Sequence, residues 1–131
     1  MSKLNDFLTE AGVFFLASVD GDQPKLRPLG AHFEFDGKVM FGVGDFKNVY
    51  RQLTANPKTE IVAAKADGNW LRYTGKAVFE TDEKYANAIL AGAPELKALY
   101  NETTGKKMMT FHLENATAVD IDVMGDGESL I

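Results

Sequence analysis

The chain has 131 residues, a formal net charge of −5 and no cysteine. Its length and its 45% hydrophobic, 25% charged composition fit a single globular domain with a real core. The missing cysteine excludes disulfide staples, thiolate metal sites, iron–sulfur clusters and cysteine nucleophiles; the acidic balance argues against general nucleic-acid binding; and no apolar run approaches the ~18 residues of a membrane span.

Residues Leu4, Phe7, Leu8 and Ala11 recur at helical spacing before Gly12, which predicts a short amphipathic helix over 3–11. The preceding residues are polar and do not read as a signal peptide, so a cytoplasmic protein is expected. Val13 to Val19 is β-branched and aromatic and ends at the hairpin signal Asp20-Gly21. Lys25 to Phe35 is predicted as the return strand, with Pro28 inside it. Proline cannot donate to a ladder, so position 28 belongs at an edge, a bulge or an unpaired face. Asp36-Gly37 then turns into a third strand, Lys38 to Val43.

The period changes at Asp45, which is placed to cap a helix striped by Phe46, Val49, Tyr50 and Leu53 and ended by Asn56-Pro57. Glu60 to Ala66 and Trp70 to Glu80 are strands joined by Asp67-Gly68-Asn69. Helical text runs from about Thr81 to Gly92 and restarts at Pro94. Met108 to Glu114 and Ala118 to Met124 read as two closing strands, followed by a loose tail at 125–128. About seven strands in short hairpins predict an antiparallel sheet closed into a small barrel, because closure removes vulnerable edges, with helices outside it.

Charge is unevenly spread. Residues 24 to 58 hold Lys25, Arg27, Lys38, Lys47, Arg51 and Lys58 against Glu34, Asp36 and Asp45, whereas Met108 to Ile131 holds five acids and neither lysine nor arginine. Within the basic segment, Arg27 lies on one strand and another strand ends at Gly42-Val43-Gly44 before the helix opened by Lys47 and Asn48. A helix N-terminus presents free amides and the positive end of the dipole, and glycines let backbone approach a ligand. If the second and third strands pair through Asp36-Gly37, Arg27 converges with Lys47 and Asn48 on a phosphate. The same residues equally suit a plain strand–turn–helix, since Gly42-Val43-Gly44 matches neither a phosphate-binding Walker loop nor a dinucleotide fingerprint.

Several motifs occur in a fixed order: Arg27-Pro28-Leu29-Gly30; Phe41-Gly42-Val43-Gly44; Lys47-Asn48-Val49-Tyr50-Arg51-Gln52-Leu53 with Asn56-Pro57; and Trp70-Leu71-Arg72 with Gly75-Lys76-Ala77. In that order they resemble the pyridoxamine-5′-phosphate oxidase-like, FMN-binding split-barrel proteins, in particular the short single-domain members, over nearly the whole chain. The resemblance implies a mainly β split barrel with peripheral helices, one domain over 1–131, and a homodimer with FMN at the subunit interface. It implies that Arg27, Lys47 and Asn48 hold the phosphate, that Pro28, Leu29 and Gly30 lie along the isoalloxazine, and that Val43 and Gly44 lie close by. Trp70, with Arg72 on the same face, corresponds to side chains supplied by the partner subunit, and residues near Ile121 are expected at the ring.

The departures concern specificity. Where the oxidase has a lysine five residues after the strand arginine this chain has His32; its threonine is Val43; and its Ser-Arg-Lys cluster is Lys47-Asn48-Val49. The C-terminal segment that binds pyridoxal phosphate has no counterpart on this reading, so vitamin B6 oxidation is not expected. The resulting expectation is an FMN-dependent oxidoreductase passing electrons from a donor such as a reduced nicotinamide to a small acceptor, with no identifiable catalytic acid or base. The alternatives are a flavin storage or sensing protein, or a relative binding FAD, F420 or haem. His32 could be a haem ligand, a proton donor near the flavin, or a hydrogen-bonded or half-exposed strand residue. His112 is expected to face outward, and Met108-Met109 and Tyr50 are expected to pack.

Overall fold

Two residues, Gly30 and Ala31, connect the two outermost strands of the sheet. The computed structural model describes residues 2–131. Its elements are α1 (Lys3–Ala11), β1 (Phe14–Asp20), β2 (Gln23–Leu29), β3 (His32–Phe35), β4 (Lys38–Gly44), α2 (Asn48–Ala55), β5 (Lys58–Ala64), β6 (Trp70–Phe79), α3 (Glu83–Gly92), α4 (Pro94–Lys97), β7 (Met108–Ile121) and β8 (Gly127–Ser129). The strands run β2-β1-β5-β6-β7-β4-β3, with β8 on β7, and every pairing is antiparallel. Three peptide steps from Leu29 to His32 reach at most about 11 Å. The outer strands of a flat sheet of this width would lie roughly 29 Å apart. The sheet therefore curls until β2 and β3 approach without pairing, which makes a barrel with one split.

The predicted strand Lys25 to Phe35 is thus two strands on opposite edges of the sheet. Gly30-Ala31 ends the ladder that β2 makes with β1, and β3 then turns through Asp36-Gly37 to pair β4. Pro24 and Pro28 both sit on β2, an edge strand, where a missing N–H costs no ladder bond. The two expected closing strands are one continuous β7. Asn115, at φ 51°, and Ala116 bulge opposite Gly75, where a Cβ would come within 3.0 Å of both the Ala116 Cβ and the Glu114 carbonyl. The tail expected to be loose forms β8 against Val119–Ile121.

Inward residues alternate along β1, β5 and β6, whereas β4 is buried from Val39 to Gly44. Phe14, Phe41 and Phe111 are fully buried, with Phe41 5.4 and 5.5 Å from the other two rings. Each such side chain contributes about 1.5–3 kcal/mol of burial. Helix α1, capped by the Ser2 hydroxyl accepting from the Asn5 amide and stopped at Gly12 (φ 85°), seals the barrel with Leu4, Phe7 and Leu8. The outward face of the sheet is unusually apolar. Register places Phe15 beside Pro28 and Val62, Val62 beside Arg72, and Trp70 between Ala64 and Ile121. Phe15 is 42% and Leu26 67% exposed there. No helix among the described residues is long and apolar enough to cross a membrane.

Candidate functional site: an anion cradle in the barrel split

Beside the split, a cleft of about 450 Å³ is walled by Arg27, Pro28 and Leu29 of β2, Gly42–Gly44 of β4, and Lys47–Val49. Leu96, Tyr100 and Met108 close it from above. The end of β4 is fixed from a distance: the Asp45 amide donates to the Lys107 carbonyl (2.9 Å) and the Asp45 carboxylate accepts from the Lys107 amide (3.1 Å). Asp45 is therefore not the helix cap that its residue type suggests. Helix α2 starts at Asn48, with Lys47 in the N-cap position and no side chain capping it. Its first amides and the positive end of its dipole are left facing the cleft.

Arg27 is pinned rather than free. Its Nη1 donates to the Leu16 carbonyl (3.0 Å) and its Nη2 to Gln52 Oε1 (2.7 Å), which also accepts from the Ser18 hydroxyl (2.5 Å). Gln52 and Ser18 are buried. The arrangement leaves the Nε–H and one N–H on each terminal nitrogen of Arg27 uncommitted. Partial burial lowers the Arg27 pKa from its ordinary value, yet a guanidinium stays charged. Among the described residues no carboxylate pairs with Arg27 or Lys47. Among the described residues these two are the only charged ones lining the cleft. A half-desolvated cation without a counter-charge is a site that gains by taking an anion.

Seven residues expected from the sequence line this cleft: Arg27, Pro28, Leu29, Val43, Gly44, Lys47 and Asn48. The route of convergence differs from the expected one. Because β3, not β2, pairs with β4, Arg27 reaches the end of β4 by barrel closure across the split. Gly30 is exposed beside the cleft, and Ala31 lines it instead. Trp70 and Arg72 lie on the outward face of β6, where Arg72 donates to Glu60 (2.9 Å) and its guanidinium sits 5.0 Å from the Trp70 ring centroid. They do not enter the cleft of their own chain. The glycines also make room for neighbouring side chains of the chain itself. The space a Cβ at Gly44 would take is filled by Phe46 and the Tyr100 hydroxyl, each 2.6 Å away, and that at Gly42 by Ile89 (2.7 Å) and Met108 (2.8 Å). They let the helical cover close onto β4.

The histidines are elsewhere. His32 Nδ1 lies 2.8 Å from Asn5 Oδ1, and burial pushes its pKa down. His112, expected to face outward, is buried, with Nδ1 2.6 Å from Glu80 and Nε2 3.1 Å from Glu114. Met108 packs as expected, and Tyr50 meets Phe79 edge-on at 4.9 Å. Two residues that the sequence reading left without a role are Gln52 and Ser18. Gln52 stands with Val49 and Leu53 on the buried stripe of α2, and a glutamine on an apolar stripe is the signal that marks it.

The fold is an antiparallel split barrel, and its seam holds an uncapped helix start and two cations without a carboxylate partner among the described residues. Comparison with known proteins shows the family and the fold. The sequence model of the pyridoxamine 5′-phosphate oxidase family matches residues 1–120, and the chain belongs to that family. A NimC/NimA family protein from Clostridium acetobutylicum is 31% identical over 98% of this chain and 89% of its own, with a TM-score of 0.88. The fold is shared with a putative pyridoxamine 5′-phosphate oxidase from Listeria innocua (19% identity, 87% of this chain and 93% of that one, TM-score 0.66). It is also shared with a heme-binding protein from Mycobacterium smegmatis (17% identity, 94% of this chain and 54% of that one, TM-score 0.72). None of the curated proteins compared is similar to the chain.

Proposed function

We propose that the cleft binds FMN by its phosphate and that the protein is a flavin-dependent oxidoreductase acting on a small molecule as a homodimer. The observation carrying this reading is that Arg27 and Lys47 are the only charged residues lining the cleft and have no carboxylate partner among the described residues. Arg27, Lys47, Asn48 and the first amides of α2 would hold the phosphate, with Gln52 and Ser18 fixing the guanidinium. The edge of β2 at Pro28–Gly30 offers backbone groups not used by β1 to the ring system. Bound flavin supplies hydride or electron transfer; the chain supplies orientation, polarity and exclusion of water.

The dimer is supported by the apolar outward face, which is continuous with the cradle through Pro28. A second copy covering it would bury Phe15, Leu26 and Val62 and carry its own Trp70 and Arg72 toward the open side of the cleft. Neither histidine lines the cleft, which favours flavin over haem there. The visible spectrum of protein purified without added cofactor tests the reading. Paired near-ultraviolet and blue bands are expected, and a lone Soret band would replace FMN by haem. Turnover with a reduced nicotinamide and a quinone or nitro acceptor separates an enzyme from a flavin store.

A further inference from the structure

Behind the Tyr100–Met108 wall of the cradle lies a second cavity, of about 690 Å³, between the end of β6, the start of α3 and the 100–110 segment. Its charge is of the opposite sign. The cradle lining holds two cations and no acid, whereas this cavity presents Glu80, Asp82, Glu83 and Glu102 against Lys106 and Lys107. Glu80 is already paired with Lys38 at 3.5 Å. Asp82, Glu83 and Glu102 have no ion-pair partner among the described residues. These three carboxylates face two ammonium groups at the rim, Lys107 and Lys106, the latter also 4.6 Å from the centroid of Phe46.

The floor suits a cation with an apolar body. Tyr50 and Phe79 stand edge-to-face at 4.9 Å, Tyr100 adds a third ring, and Leu90, Met108 and Met109 complete an apolar surface that stays partly open. Aromatic faces attract cations through their quadrupoles, most strongly where water is displaced. Polarisable thioethers adapt to irregular ligands. We propose that this cavity is a separate binding site for an organic cation, an amine or quaternary ammonium on a ring-sized apolar body, independent of the phosphate cradle.

An NMR titration of the whole protein with benzyltrimethylammonium, benzyl alcohol and benzoate tests it. The ammonium is expected to bind at least about tenfold tighter than the alcohol, with benzoate weakest, and to shift the amides of residues 81–83 and 106–109. Asp82 caps α3 through the Lys84 amide (3.0 Å), so the informative variant is Glu83→Gln with Glu102→Gln, which should abolish most of that preference. FMN fluorescence quenching, read on the same samples, reports on the cradle alone, so either site can fail without the other. Benzoate binding as tightly as the ammonium, shifts that miss these amides, or a preference that survives the double variant would each overturn the proposal.

Discussion

Arg27 and Gln52 meet at 2.7 Å across 25 positions of sequence, one on an edge strand and the other on the buried stripe of α2. This contact ties the strand that carries the guanidinium to the helix whose first turn faces the same cleft. Replacing Gln52 by leucine removes the acceptor shared by Arg27 and the Ser18 hydroxyl, leaving a buried hydroxyl unsatisfied. Stability should fall by about 1–3 kcal/mol in urea unfolding, and FMN should bind severalfold more weakly while riboflavin is little affected.

Three glycines should respond to alanine in different ways. At Gly75 the obstructing atoms include the Glu114 carbonyl, part of the backbone, so Gly75→Ala should cost about 1–3 kcal/mol. At Gly44 the obstruction is Phe46 and the Tyr100 hydroxyl, which can move, so Gly44→Ala should cost less and couple to Tyr100→Phe in a double-mutant cycle. A Cβ at Gly92 meets nothing within 4 Å, and Gly92→Ala should stabilise by about 0.4–1 kcal/mol. Denaturant midpoints rank the three.

The outward face makes a prediction about assembly. Leu26→Asp with Phe15→Glu changes side chains that are 67% and 42% exposed in the single chain, so folding should survive. Sedimentation should show a dimer for the natural chain and a monomer for the double variant. A dimer persisting in the variant would place the interface elsewhere.

His32 gives a pH dependence of known sign. Burial lowers its folded pKa below the ordinary 6.5, so the unfolded chain binds more protons as pH falls through that value. Its contribution to stability is therefore complete above about pH 6.5 and is lost on acidification toward the folded pKa. Urea midpoints at pH 7.5 and 5.5 should show a smaller loss for His32→Gln than for the natural chain.

Local signals made much of this fold legible in the sequence. Gly12, Asp20-Gly21 and Asp36-Gly37 mark turns by their chemistry, and Pro28 announces an edge. Contacts distant in sequence explain what was missed. Asp45 has the right side chain for a cap, but the Lys107 amide, 62 residues away, takes its carboxylate. Gly30-Ala31 splits a strand without any turn signature because barrel closure, not local preference, breaks the ladder there. His112 alternates with buried neighbours as an outward residue should, yet Glu80 and Glu114 and the β6 ladder enclose it. That the opening turn of α2 and the end of β4 line one cleft was legible because a helix start after a glycine-ended strand is a local pattern. The support from Gln52 and Ser18 was not, because it exists only once the barrel has closed.

The most direct test compares FMN with riboflavin, ligands that differ by the phosphate, on the natural chain and on Arg27→Ala with Lys47→Ala. Two lost charge-assisted contacts should raise the FMN dissociation constant at least about a hundredfold while changing that of riboflavin by no more than about threefold. Equal losses for both ligands, or unchanged FMN binding, would contradict a phosphate seated between that arginine and the opening turn of α2.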